Sequence, residues 1–356
     1  MNKRIFALFL ALLLTLTSIT GCINLDPSLI EENTTVTEES ETVSETESES
    51  ESKSEVQTPS ADDIPLGATL SVHFIDVGQA DAALVLCAGK AMLIDGGNKA
   101  DSDLIYTYLK KQEITHLDYV VATHAHEDHV GGLSGALTAV DTVGHVISPV
   151  TDYDTKAFRD FVAKTQAHGR QIEIPHAGDT FSLGDATVTV LGPVKTYTDP
   201  NNTSIVLRIV FGETSFLFTG DMESDAEADL IESGATLRST VLKVGHHGSS
   251  TSTSYRFLRE VAPSFGVISA GANNSYGHPH EVVLSRLRDA EVKLFRTDLQ
   301  GDVICHSDGK NVTFTTARNF NVQTNPTENK TQYIGNKSPR IYDLLICANL
   351  PTEEKM

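Results

Sequence analysis

Thr123-His124-Ala125-His126-Glu127-Asp128-His129-Val130-Gly131-Gly132 places three histidines and two acids within the six residues from His124 to His129. It follows directly on the apolar run Leu117-Asp118-Tyr119-Val120-Val121-Ala122, which reads as a short buried strand. Imidazole and carboxylate together form the donor set that zinc and similar borderline cations prefer. The position at a strand end matters, because a continuing strand would send neighbouring side chains to opposite faces. A turn there can direct His124 and His126 to one point, and Asp128 and His129 to another close by. Gly131 and Gly132 then permit a tight entry into a following helix. A merely solvated polar loop seldom concentrates histidine in this way.

Outward from this stretch, strands and helices alternate. Strands are predicted over 69–76, 82–87, 90–94 and 117–122, and a helix over 101–112, where Leu104, Ile105, Tyr108 and Leu109 recur at helical spacing. Helices follow over 155–168, 223–232, 252–261 and 281–289. Further strands fall at 171–174, 187–191, 203–211, 215–219, 240–244, 265–269, 292–296, 302–307 and 311–316. Many strands occur as hairpins and several helices intervene. The pattern predicts an α/β (α+β) domain of two mixed sheets covered by helices, not one doubly wound parallel sheet.

The ends of the chain differ from its middle. Lys3 and Arg4 precede an apolar run that closes on Ile19-Thr20-Gly21-Cys22, the order of a secretory signal. That run is short for a bilayer span of about 20 residues. Residues 1–21 are therefore expected to be a signal peptide, with an uncleaved signal anchor as the alternative. Residues 22–65 read as an acidic Ser/Thr/Glu-rich stalk with too little apolar surface to fold. Of the net charge of −21, residues 26–63 carry −12 and residues 64–356 carry −11. An acidic domain disfavours nucleic-acid binding through a broad basic surface. Cys87 and Cys305 read as small core residues, and the cysteines after Cys22 are odd in number, which gives no disulfide framework. The folded domain that carries the histidine run is expected over 66–318. Residues 319–356 read as a polar linker and a truncated remnant similar to a small Cys-rich module found behind secreted nucleases, with Asp343 where that module usually has His.

His124-Ala125-His126-Glu127-Asp128-His129 resembles the H-x-H-x-D-H signature of the metallo-β-lactamase superfamily. Other parts occur in that family's order, namely Leu93-Ile94-Asp95-Gly96-Gly97, Leu217-Phe218-Thr219-Gly220-Asp221 and Lys243-Val244-Gly245-His246-His247-Gly248-Ser249. Phe74-Ile75-Asp76-Val77-Gly78-Gln79-Ala80-Asp81, Asn201-Asn202-Thr203-Ser204 and Asn273-Asn274-Ser275-Tyr276-Gly277-His278-Pro279-His280 resemble more narrowly the hydrolase domain of ComEC/Rec2 competence proteins. The resemblance spans about Leu70 to Thr316 and implies an αββα sandwich with two divalent metal ions, zinc being favoured and manganese the alternative. It implies that His124 and His126 bind the first metal, Asp128 and His129 the second, and that Asp221 bridges them. One imidazole of His246-His247 would complete the second metal, with His247 favoured. Where the superfamily often has a further His, this chain has Asn201-Asn202, so the first metal would either be poorly held, leaving two-metal occupancy incomplete, or rely on Asn202 or water. Cys22 likewise matches a bacterial lipobox, implying a lipid-anchored, extracytoplasmic protein on the bacterial cell membrane.

Two neighbouring cations lower the pKa of a shared water, hold the bridging hydroxide in line with phosphorus and neutralise developing charge. Asp128 can orient that nucleophile. The non-ligating imidazole, His246, or else His278, can stabilise phosphoryl oxygens or protonate the leaving oxygen, with a cap in a Gly-Pro turn as the lesser alternative for His278. Asp95 is expected to fix a ligating histidine from behind, and Asp76 and Asp81 either do the same or shape a turn. The expected function is phosphodiester hydrolysis, on single-stranded nucleic acid or an envelope polymer, and no protein partner is implied. Some activity on single strands is expected if Lys243, Arg256, Arg259 and Arg296 lie near the site. The alternatives are a lactone, thioester or β-lactam hydrolase on the same scaffold, and a non-catalytic surface binding lipoprotein.

Overall fold

The computed structural model describes residues 70–326. The segments expected to be a signal peptide, an acidic stalk and a C-terminal remnant, with Cys22, lie outside the described residues. The chain first lays down β1 (Leu70–Phe74), β2 (Ala82–Cys87), β3 (Lys90–Gly96), β4 (His116–Val121), β5 (Thr142–Ile147) and β6 (Ile172–Glu173). A second sheet takes β7 (Thr180–Leu183), β8 (Ala186–Gly192), β9 (Val206–Phe211), β10 (Thr214–Phe218), β11 (Val241–Lys243), β12 (Phe265–Ile268) and β13 (Lys293–Arg296). The chain then returns to the first sheet with β14 (Val303–Ser307) and β15 (Val312–Thr316). The spatial orders are β15-β14-β1-β2-β3-β4-β5-β6 and β13-β12-β11-β10-β9-β8-β7. Each sheet is antiparallel over one part and parallel over the other, as the hairpins and crossover helices require.

Alternation along the strands builds three apolar layers. Between the sheets lie Phe74, Val85, Met92, Ile209, Phe218 and Phe295. The next residue along a strand faces the other way, so Leu84 and Leu93 pack outward against Ile105 and Leu109 of α1 (Ser102–Lys111). After α2 (Glu127–Val130), α3 (Leu133–Ala139) and α4 (Lys156–Ala167) cover the same face. The second sheet buries Leu217, Leu242 and Ile268 against α5 (Ser224–Glu232), α6 (Tyr255–Val261) and α7 (Glu281–Asp289). A short α8 (Thr297–Gln300) leads into β14. Burial on both faces explains why β2 is uninterruptedly apolar and why β10 runs apolar from Phe216 to Phe218. The expected αββα sandwich is thus borne out, and Cys87 and Cys305 are free and buried in the inter-sheet layer.

Three strand expectations need correction. β5 and β7 are missing from the sequence reading, and the strand expected from Thr203 begins only at Val206, after a 3-10 turn over Asn201–Thr203. The polar segment from Asn319, read as linker, stays on the domain as far as residue 326. Phe320 packs on the inter-sheet core, Thr324 Oγ1 donates to Leu294 O at 2.7 Å, and Arg288 Nη1 donates to Asn325 Oδ1 at 2.6 Å. No helix among the described residues is long and apolar enough to cross a membrane.

Candidate metal centre

The site forms where strand ends of both sheets meet. β4 delivers Thr123 and the histidine run, β10 delivers Asp221, β11 delivers His246 and His247, and the turn before β2 delivers Asp81. The loops are tied to one another by main-chain hydrogen bonds. Asp81 N donates to Asp128 O at 3.1 Å, Gly97 N to Asp81 O at 2.8 Å, and Gly132 N to Gly97 O at 3.1 Å. His246 and His247 both hold left-handed backbone conformations, with φ of 50° and 53°, a strained state for non-glycine residues that concentrates at functional sites.

Asp221 is central. Its Oδ2 lies 3.3 Å from His129 Nε2, 3.6 Å from both His246 Nε2 and His247 Nε2, and 4.0 Å from His124 Nε2. Asp128, His129, Asp221 and His247 each offer a donor atom, all within 4.8 Å of one another. The backs of the two rings are already occupied. His129 Nδ1 faces Asp95 Oδ2 at 2.8 Å, while Thr123 holds Asp95 through its backbone N–H and its hydroxyl. His247 Nδ1 faces Ser269 O at 3.1 Å and Asp81 Oδ1 at 3.2 Å. Acceptors behind each Nδ1 keep the proton there and leave Nε2 as the free donor. His129 Nε2, His247 Nε2 and Asp221 Oδ1 are buried without hydrogen-bond partners. Buried polar atoms left unpaired cost roughly 1–3 kcal/mol each, and a cation at their common focus would satisfy all three.

Electrostatics point the same way. Burial alone would disfavour protonation of His247, but Asp221, Asp81 and Asp128 outweigh it and push its pKa up to about 10. Burial is overcome in the same way at His129, which Asp221, Asp95 and Asp128 raise well above the ordinary imidazole range. Asp128 is held down to about 2, against its own burial, by His129 and His247. A field that retains protons on two buried imidazoles is one in which a divalent ion would compete for the same positions. The donor set therefore fits a metal.

His124 and His126 are less tightly gathered. His124 is fully buried, with Nε2 at 3.1 Å from His126 Nδ1, and burial followed by the His129 charge lowers its pKa well below the ordinary range. Asn202, considered as a replacement donor from sequence, is otherwise engaged, since its Oδ1 accepts the Glu223 N–H at 3.0 Å. Asp76 also takes the turn role, not that of a histidine support. Its Oδ1 accepts from Gly78 N at 3.4 Å and its Oδ2 from Arg318 at 3.2 Å.

Gln79, Asn201, Glu223 and Tyr276 have no assigned role in the sequence reading. A cleft of 370 Å³ above the site is lined by Gln79, Asn201, His246, Tyr276 and His278 together with ligand candidates. Gln79 Oε1 accepts from Gly271 N at 3.1 Å, which fixes the amide so that Nε2 donates to His278 Nδ1 at 3.2 Å. His278 consequently carries its proton on Nε2. Burial, and then His247, His280 and His246, lower its pKa to about 4, so it is neutral at pH 7. Glu223 Oε1 faces His246 Nδ1 at 3.4 Å. The basic residues considered for nucleic-acid contact are engaged elsewhere. Lys243 is buried against Asp81 at 2.8 Å, and Arg256, Arg259 and Arg296 pair with Glu232, Glu260 and Asp298.

Two mixed sheets between helices, with clustered His and Asp at their shared edge, define a metallo-hydrolase scaffold. Residues 75–271 match the metallo-beta-lactamase superfamily, and the chain belongs to it. The chain is 30% identical over 253 residues to ComE operon protein 3 of Bacillus subtilis, covering 65% of this chain and 32% of that one. It is 33% identical over 230 residues to competence protein ComA of Neisseria gonorrhoeae, covering 64% and 30%. Recombination protein 2 of Haemophilus influenzae matches at 31%, over 66% and 28%. The chain thus spans about a third of the length of these curated relatives, and the resemblance to the ComEC/Rec2 branch is borne out. Among solved structures, the metallo-beta-lactamase fold protein YhfI of Bacillus subtilis aligns at 14% identity with a TM-score of 0.45, over 69% of this chain and 100% of that one.

Proposed function

We propose that this chain is a metal-dependent phosphodiesterase whose substrate is a single-stranded nucleic acid or a phosphodiester of the cell envelope. The observation that carries this reading is the pair of imidazoles left over once four ligands converge. His246 and His278 line the cleft beside Asp128, His129, Asp221 and His247 but stand outside that set. Two non-ligating donors suit a phosphoryl group, which presents several charged oxygens at once.

Asp128, His129, Asp221 and His247 would hold one cation, and His124, His126 and Asp221 the other. When bound, these ions supply Lewis acidity and activation of water. The protein's own groups do the rest. Asp95 and Asp81 hold the rings of His129 and His247, and neutral His278 offers Nε2–H to a phosphoryl oxygen. His246, backed by Glu223, is placed to bear the proton destined for the leaving oxygen. Cys22 is proposed to carry the lipid that anchors the domain outside the cytoplasm.

Full-length protein loaded with zinc or manganese should hydrolyse bis(p-nitrophenyl) phosphate, with activity lost in EDTA and in Asp221→Ala. Faster turnover of nitrocefin than of the phosphodiester would favour a lactam hydrolase instead. Incorporation of labelled palmitate, absent in Cys22→Ala, tests the anchor.

A further inference from the structure

The first metal position lacks a fourth protein donor if only His124, His126 and Asp221 are counted. The turn that carries Asn201-Asn202 supplies a candidate, although not the residue weighed from sequence. Asn202 is occupied by its bond to Glu223 N. Asn201 instead lines the cleft with His126, Asp221 and His246. Its Nδ2 points to Glu223 Oε1 at 3.5 Å, which sets the amide orientation, because an oxygen in that place would face a carboxylate. The opposite end, Oδ1, is buried and has no hydrogen-bond partner. The turn itself is pinned, since Asn201 N donates to Asp199 Oδ1 at 2.9 Å and Ser204 N donates to Asn201 O at 3.1 Å. Ser204 in turn accepts from Asp221 N at 3.0 Å, so this turn and the central carboxylate are fixed together.

We propose that the Asn201 amide oxygen is the fourth protein donor of the first metal position, and that this neutral oxygen makes that position the weaker and more exchangeable of the two. The inference rests on the two-metal reading above. An amide oxygen is a harder and weaker donor for zinc than imidazole, and oxygen donors shift preference toward manganese. The second position keeps two imidazoles and two carboxylates. One tight and one loose equivalent should follow, with the loose site relatively more favourable for manganese.

Full-length protein stripped with chelator would be titrated with zinc and with manganese by calorimetry, with bound metal counted by elemental analysis and folding checked by thermal melting. The wild type should show a tight step and a step at least about 10-fold weaker. Asn201→Ala should weaken or abolish only the second step, and Asn201→His should tighten zinc at that step by about 10-fold or more. His247→Ala should remove the tight step. If His247→Ala behaves so while both Asn201 variants titrate like wild type, the metal centre stands and this role for Asn201 is wrong. A wild type that binds no metal would remove both.

Discussion

Asp81 links the His247 ring to the buried Lys243. One oxygen faces the buried Lys243 ammonium at 2.8 Å and the other faces His247 Nδ1 at 3.2 Å. Burial would raise its pKa, yet Lys243 and His247 together hold it below the usual carboxylate range. Asp81→Asn removes the charge that fixes the His247 ring, and metal affinity should fall by about 10–100-fold. A calorimetric Kd equal to the wild type's would show that Ser269 O alone suffices. Lys243→Met strands a buried carboxylate and should cost about 3–5 kcal/mol, seen as a lower denaturation midpoint. His73 makes a separate prediction, remote from the metal. Burial and His306 lower its pKa from 6.5 to about 4, and its ring nitrogens meet Ser71 Oγ and Tyr108 Oη. Above pH 6.5 the ring is neutral both folded and unfolded, so it adds no pH dependence. Between pH 6.5 and 4 only the unfolded chain takes up the proton, and stability falls with pH by as much as about 3 kcal/mol. His73→Gln should flatten that limb of the Tm profile, and an unchanged slope would assign it to other groups.

At the scale of elements, the centre depends on how closely α2 and α3 approach the end of β3. A Cβ on Gly132 would lie 1.9 Å from Gly96 O, which is main chain and cannot swing aside. Gly132→Ala should therefore push α2 outward, costing about 1–3 kcal/mol, and weaken metal binding because α2 carries Asp128 and His129. Retention of wild-type metal affinity would mean that α2 yields without moving its ligands. This requirement was legible in the sequence, where Gly131-Gly132 stands one residue beyond the last of the histidines. β5 was not legible. Its Gly144 weakens any strand pattern, yet a Cβ there would meet Asp118 O on β4 at 2.4 Å, so close strand contact demands the residue that hides the strand. β7 buries only Leu183 and lies at a sheet edge, which leaves little alternation to detect. Asn201 and Asn202 show the corresponding limit for the site. Adjacent identical residues on a 3-10 turn take different partners, and only the path of the turn decides which one lines the cleft.

For the whole molecule, charge and shape bear on which substrate the proposed phosphodiesterase would accept. Residues 64–356 carry −11, and among the described residues the cleft lining includes no Lys or Arg. Duplex DNA brings one negative charge per roughly 1.7 Å of axis and usually needs a row of basic contacts to hold it. Here, cations at the centre would have to supply nearly all of the local attraction, over a span of one or two phosphates. A small ester or a flexible single strand can present one phosphate at a time. Tyr276 adds a second criterion. It is 67% exposed and stacks on His278 with ring centroids 5.6 Å apart and planes at 23°, leaving a flat face beside the cleft that an unpaired base can cover and a paired base cannot. Metal-dependent initial rates should therefore rank bis(p-nitrophenyl) phosphate and single-stranded DNA above duplex DNA. Tyr276→Ala should raise KM for the single strand more than for a dialkyl phosphate, and raising salt should change the small-ester rate little. EDTA-sensitive cleavage of duplex DNA that outpaces both other substrates at low salt would overturn the argument from charge. An equal KM change for the single strand and the dialkyl phosphate in Tyr276→Ala would overturn the argument from stacking.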